Sequence, residues 1–292
     1  MTDFHPVWYN SSDHLRLFAR EYRRAESPFT LLCMHGLTRN SADFEAFCDV
    51  LAGHYHILVP DQRGRGYSEY DPEPARYQIA TYVEDMFQLL REKRVERVVP
   101  IGTSMGGIIA MQMLAERPAA IRGLILNDVG AEVEARGLNR IQQYVGRETP
   151  PGNWSEAAEQ TRRINEIALP DYTDEDWQRL ARKYYHEDSD GKPVRNYDPR
   201  IAPAGDDPGP ASAMDLWPLF DSLPDVPMLV IRGEHSDILS RKCLADMAAR
   251  RSDLQTAEIP NRGHAPMLDE PEALAAIRRF LDALTLIQPG NY

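Results

Sequence analysis

One stretch constrains this chain more than any other: Arg97 to Glu116, RVVPIGTSMGGIIAMQMLAE. Val98, Val99 and Ile101 form a short apolar, partly β-branched run that reads as a buried strand. Pro100 inside it is unusual for a central strand, because it removes a ladder donor. Ile108, Ile109, Met111, Leu114 and Ala115 carry helical spacing up to Pro118. Between the two lies Gly102-Thr103-Ser104-Met105-Gly106, which must turn sharply from strand to helix. Such a turn exposes the Ser104 hydroxyl on strained backbone. Gly102 and Gly106 fit it because side chains there would clash where strand and helix pass close together. The Met105 N–H sits at the helix N-terminus, where a developing negative charge is favoured.

The rest of the chain alternates strands and helices on either side of an interruption. Residues 4–23 read as two antiparallel strands. Phe29 to Met34 is a central strand running into His35-Gly36-Leu37-Thr38-Arg39, and a helix capped by Asn40 or Ser41 follows to about Leu51. His56 to Pro60 is a strand that leads into Asp61 to Ser68, DQRGRGYS. Its glycine spacing fits neither a dinucleotide fingerprint nor a nucleoside-triphosphate loop, so the arginines are expected to tie neighbouring loops together. Tyr77 to Arg91 is an amphipathic helix, and Ile121 to Leu126 is a strand ending at Asn127-Asp128. From 131 to about 185 only helical pieces appear, around 138–145, 157–167 and 174–185. A Pro- and Gly-rich loop is expected over 186–212. The alternation resumes with strand 227–231, a helix over 239–250, strand 254–259 and a last helix opened by Pro271 and running to about Leu284. The fold class is therefore α/β, with a mostly parallel central sheet flanked by helices and a mainly helical insertion. The expected domains are a core of residues 1–130 and 224–292 and a cap of residues 131–223.

The formal net charge of -12 argues against nucleic acid and anionic membranes as partners. No stretch is apolar enough to span a bilayer, and the N-terminus lacks a basic region followed by an apolar run. Three cysteines (Cys33, Cys48 and Cys243) are far apart and lack metal-ligand spacing, which points to core packing in a reduced, cytoplasmic compartment. Neither a metal nor a cofactor is expected. A homodimer is left open.

In parallel sheets ligands bind beyond the carboxyl ends of the strands, and the chemistry-bearing residues all fall there: Leu37, Ser104, Asp128, Asp237 and His264. A serine hydroxyl needs a base to take its proton and a carboxylate to orient that base. The order serine, acid, histidine fits an elbow nucleophile. His264 is the expected base. Asp237 is the expected acid, because its Gly-Glu-His-Ser-Asp turn precedes a helix that would hold the carboxylate rigid. Asp128, which also ends a strand, is the alternative acid, and its expected job is to hydrogen-bond the loop beneath the site. The N–H groups of Leu37 and Met105 are expected to face the oxyanion. His35, beside Gly36, is expected to be a scaffold histidine bonded to backbone.

His35-Gly36, DQRGRGYS, GTSMGG, GEHSD and GHAP together resemble the α/β-hydrolase superfamily, in its serine-nucleophile branch with a single helical cap. The resemblance implies an α/β-hydrolase fold with nucleophile Ser104, acid Asp237 and base His264, acting on a small-molecule acyl substrate. It implies hydrolysis of a small or medium carboxylic ester through an acyl-enzyme. The alternatives are a carbon–carbon bond of a ring-cleavage product, a thioester or a lactone, or a small-ligand receptor on the same scaffold. The cap would roof the nucleophile, and Arg39, Tyr144, Trp154, Trp177, Tyr184 and Trp217 are the expected substrate-pocket residues. Arg39 and Arg140 could meet a substrate carboxylate, although a surface position is the simpler expectation for each.

Overall fold

The computed structural model describes residues 2–202 and 211–286. Strands β1 (His5–Asn10), β2 (Arg16–Tyr22) and β3 (Thr30–Met34) open the chain, followed by helix α1 (Glu45–Leu51) and β4 (His56–Asp61). Then come α2 (Ile79–Lys93), β5 (Val98–Thr103), α3 (Met105–Glu116) and β6 (Leu124–Asn127). The insertion holds a two-residue strand β7 (Glu132–Val133), helices α4 (Ala135–Tyr144), α5 (Trp154–Asn165) and α6 (Asp174–Tyr184), a hairpin of β8 (Tyr185–Glu187) and β9 (Pro193–Arg195), β10 (Met214–Asp215) and α7 (Trp217–Ser222). The core closes with β11 (Met228–Gly233), α8 (Arg241–Arg250), β12 (Leu254–Ile259) and α9 (Pro271–Leu286).

Eight strands form one sheet in the order β1-β2-β4-β3-β5-β6-β11-β12. The pairs β1–β2 and β2–β4 are antiparallel, and the remaining pairs are parallel. Every residue of β3, β6 and β11 is buried. Their apolar runs are unbroken because helices cover both faces of the sheet. Alternate residues feed two cores. Leu32 and Met34 join Met86, Ile109 and Met247 beneath α2, α3 and α8. Leu31 and Cys33 join Phe47, Ile277 and Phe280 beneath α1 and α9. All three cysteines are free thiols buried in this packing. Pro100 does lie in a central strand. It stands opposite Leu32 and just before the β5–β6 ladder begins at Ile101, so its missing donor falls outside that ladder.

The cap leaves and re-enters the core through an antiparallel ribbon in which Glu132 and Val133 pair with Asp215 and Met214. Thr173 opens α6 with a capping box, its hydroxyl accepting from Asp176 N–H while the Asp176 carboxylate accepts from Thr173 N–H. The expected irregular loop over 186–212 is corrected in its first part, where β8 and β9 make a hairpin. Pro203, Pro208 and Pro210 of that loop lie outside the described residues. None of the helices among the described residues is long and apolar enough to cross a membrane.

Candidate active site

Ser104 caps the N-terminus of α3 with φ of 53°. This left-handed conformation is strained for a residue with a side chain. It is held because Ser104 N–H donates to Asn127 C=O (3.0 Å) and Gly107 N–H donates to Ser104 C=O (2.8 Å). The tightness of the turn shows in its glycines. A Cβ on Gly102 would stand 2.2 Å from the Gly106 carbonyl oxygen, and one on Gly106 would stand 2.2 Å from the Met34 carbonyl oxygen. Only glycine lets α3 pack this closely over β3 and β5.

His264 follows β12 and reaches back across the sheet end. Its Nε2 lies 2.9 Å from Ser104 Oγ, and its Nδ1 lies 2.8 Å from Asp128 Oδ2. An ionised carboxylate only accepts, so Nδ1–H donates to Asp128 and Nε2 is left to accept the Ser104 hydroxyl. Asp128 is fully buried with φ of 55° immediately after β6. Its other bonds come from Gly233 N–H (2.8 Å to Oδ1) and the Ser236 hydroxyl (2.6 Å to Oδ2). Three donors thus fix one carboxylate.

The expectation for Asp237 is corrected by this geometry. Its carboxylate is bonded not by the imidazole but by Arg140 on α4, which donates to both oxygens (Nε to Oδ2, 2.6 Å; Nη2 to Oδ1, 2.9 Å). Burial alone would raise the Asp237 carboxyl; the Arg140 guanidinium, with a smaller contribution from His264, more than offsets that and holds it below its ordinary value. Arg140 therefore anchors the cap to the loop after β11. The loop role expected of Asp128 is present too, through Gly233 and Ser236, alongside its bond to His264.

Leu37 lines the same cavity as Ser104, and Met105 follows Ser104 in the chain. Met105 opens α3, where N–H groups lack intrahelical acceptors. Gly36 packs against the elbow, with its Cβ direction 3.7 Å from Ser104 Cβ. The buried Arg65 binds both supports. It donates to Leu37 C=O (2.9 Å), to Arg63 C=O and to the Tyr82 hydroxyl (2.8 Å each), with Met105 Sδ at 3.9 Å. Here the DQRGRGYS run acts as a tie between loops.

His35 is fully buried. Gln62 N–H donates to its Nε2 (3.0 Å), and its Nδ1–H donates to Gly36 C=O (2.8 Å). Burial pushes the imidazole down to about 3 from an ordinary 6.5. The unfolded chain takes up this proton as pH falls through 6.5 and the folded chain does not until about 3, so stability drains away on acidification. Urea unfolding of wild type and His35→Gln should show the wild-type advantage shrinking by about 1 kcal/mol between about pH 6 and pH 5. An advantage independent of pH would count against a neutral, buried His35.

Ser104 and His264 open into a cavity of about 60 Å³ roofed by the cap. Arg39, Arg140 and Tyr144 line it, as do Ile141, Asn165 and Met267, which carry no distinguishing mark in the sequence. Tyr184 lies one layer further out, its ring under the Arg39 guanidinium at 4.2 Å. The tryptophans are corrected. Trp154 stacks under Arg182 at 3.5 Å and donates to Glu187 on the outside of the cap. Trp177 is buried in the cap's own core with Leu169 and Leu180. Trp217 packs on Phe220 and Arg250 at the cap's root. None of the three lines the cavity at Ser104. Among the described residues no group of three or more His, Cys, Asp or Glu side chains is arranged to hold a metal ion.

Comparison with known proteins agrees with this architecture. The sequence is 33% identical over 278 residues to the 3-hydroxybutyrate-oligomer hydrolase of Cupriavidus necator, covering 91% of this chain and 92% of that one. It is 27% identical over 256 residues to the 2-(acetamidomethylene)succinate hydrolase of Mesorhizobium japonicum, covering 87% and 88%. The crystal structure of an alpha/beta hydrolase from Novosphingobium aromaticivorans superposes with a TM-score of 0.88 at 42% identity, covering 97% of this chain and 99% of that one. Residues 31–277 match the alpha/beta hydrolase family as a whole. The chain belongs to the alpha/beta hydrolase family.

Proposed function

We propose that the protein is a serine hydrolase that cleaves a short carboxylic ester through an acyl-enzyme on Ser104, with His264 as base and Asp128, rather than Asp237, as the acid that orients it. The observation that carries this reading is the hydrogen-bonded chain Ser104–His264–Asp128 opening into the cavity under the cap.

Ser104 Oγ attacks the ester carbonyl as its proton passes to His264 Nε2. The imidazolium that forms is stabilised by the buried Asp128 carboxylate. The carbonyl oxygen, now negative, takes the N–H groups of Leu37 and Met105. Collapse of the tetrahedral intermediate breaks the C–O bond, and His264 returns the proton to the departing alkoxide. Water then repeats the sequence: His264 takes its proton, the hydroxide attacks the acyl carbon, and Ser104 leaves with that proton restored. The cap, which we take as residues 131–223, sets which acyl and alcohol groups reach this point.

A cavity of about 60 Å³ admits little beyond a short chain without cap movement. The similarity to a 3-hydroxybutyrate-oligomer hydrolase supports an ester of a small hydroxy acid as the substrate class. Turnover on p-nitrophenyl esters from acetate to octanoate and on linear 3-hydroxybutyrate oligomers tests the reading, with intact mass recorded after exposure to a fluorophosphonate. The expected result is turnover falling steeply with acyl length, oligomer cleavage, and a single adduct on Ser104. Absence of the adduct would sink the nucleophile. An adduct without ester turnover would move the reaction to a carbon–carbon, thioester or lactone bond.

A further inference from the structure

A second cavity of about 30 Å³ lies behind the first, and the two share a wall made by Thr38, Arg39, Tyr144 and Asn165. Tyr184 and Arg195 line its far side. Two buried polar atoms at this place, Tyr184 Oη and Arg195 Nε, have no hydrogen-bond partner among the described residues. Both carry hydrogens to donate. A buried donor without an acceptor is costly, and a native structure rarely keeps two beside one cavity without a use for them.

The neighbouring groups define which ligand suits them. The Arg195 guanidinium lies between the rings of Tyr185 and Tyr197, at 5.3 and 5.7 Å. Its Nη2 is taken by Glu148 and by Gln160. Nε–H is the fully buried donor that has no acceptor. Arg39 gives Nη2 to Asn165 Oδ1 (2.8 Å) and lies 3.3 Å from Asp43, with the Tyr184 ring beneath it. Glu148 offsets part of the Arg195 charge. What the cavity presents is therefore a set of directed donors, two of them on guanidinium groups, around a space that holds about two water-sized oxygens. A carboxylate matches that description in size, charge and acceptor number.

We propose that this second cavity is a carboxylate subsite: it takes the free acid end of the substrate from Arg195 Nε–H and the Tyr184 hydroxyl, with Arg39 alongside, while the ester carbonyl lies at Ser104. The proposal rests on the ester-hydrolase reading and narrows it to esters that carry a carboxylate on the part of the molecule pointing away from the elbow. It makes the enzyme end-reading, so that an oligoester is trimmed from its acid terminus.

The test separates binding from chemistry. Calorimetry on Ser104→Ala protein compares the linear 3-hydroxybutyrate dimer as free acid with its methyl ester. The free acid should bind at least about tenfold more tightly, since only it offers a charged acceptor. Tyr184→Phe removes one oxygen and keeps the ring under Arg39, and Arg195→Gln removes the charged donor. Each should erase most of the preference for the acid, and in the Ser104-containing enzyme the ratio of kcat/KM between acid and methyl ester should fall in step. Equal affinity for the two compounds, binding of neither, or a preference untouched by both variants overturns the subsite. Failure of the wild-type enzyme to turn over either compound, with the binding preference intact, overturns only the ester chemistry.

Discussion

Asp128→Asn is expected to lower kcat by about 10⁴-fold, whereas Asp237→Asn should keep kcat within about tenfold of wild type. The two aspartates stand at the ends of neighbouring parallel strands and both lie within the field of the site. They differ in what they hold. Asp128 accepts His264 Nδ1–H at 2.8 Å, and an amide there would remove the negative charge that stabilises the imidazolium and would permit the wrong tautomer. Asp237 is engaged by both nitrogens of the Arg140 fork. Its amide would loosen α4 and shift KM more than kcat. Asp128→Asn also trades one acceptor for a donor beneath Gly233 and Ser236, so a loss of about 1–2 kcal/mol in stability should accompany it. Steady-state kinetics beside urea unfolding separates the two effects. A severe kinetic defect in Asp237→Asn with a mild one in Asp128→Asn would reverse the assignment.

Which aspartate meets the imidazole depends on the relation between chain order and strand order. Period and turn chemistry expose the strands, the elbow glycines and the histidine turn, because each is a local pattern. The meeting of Ser104 with His264 was therefore legible. The choice between Asp128 and Asp237 depends on which strand end faces the imidazole, and that is set by the sheet order β5-β6-β11-β12 and by a backbone turn at Asp128 with φ of 55°. Neither is written in local pattern. Ser236 carried its only signal in the same turn as Asp237, as the residue that bonds Asp128. The cap was harder still. The β8–β9 strands are three residues each, too short for alternation to show, although Asp188-Ser189-Asp190-Gly191 is a turn signal with Gly191 at φ of 75°. Aromatic positions on the cap helices carry a simpler ambiguity. On a helix a large aromatic at core spacing has the same pattern whether it meets a cavity or its own neighbours, and Trp177 meets its neighbours.

Arg63→Met should cost about 3–5 kcal/mol, a large share of the stability of any domain, and lower the melting temperature by about 5–8 °C. Arg63 is buried at 1% side-chain exposure and gathers carboxylates from three separate segments. Its Nε and Nη2 each lie 2.7 Å from an oxygen of Asp85 on α2, Nη1 lies 2.6 Å from Asp71, and Asp13 in the β1–β2 turn lies at 2.9 Å. Methionine fills the space but leaves the buried Asp85 without its cation and the fully buried Asp71 with only the more distant Arg76 at 3.6 Å, which is the expensive way to break a buried pair. Lysine should recover only part of the loss, because one ammonium cannot replace a fork that serves three carboxylates. The deficit has a sign with pH. Burial pushes the Asp85 carboxyl up to about 6 even with Arg63 opposing it, and removing Arg63 pushes it further. A group raised in the folded state contributes stability at low pH that is lost as pH rises through its folded value. The Arg63→Met deficit should accordingly be smaller at about pH 5 than at about pH 8, and adding Asp85→Asn should recover part of it at the higher pH. Calorimetric melting of the three proteins at both pH values decides the matter, and a deficit that grows on acidification would mean that the carboxylates are not what Arg63 holds in place.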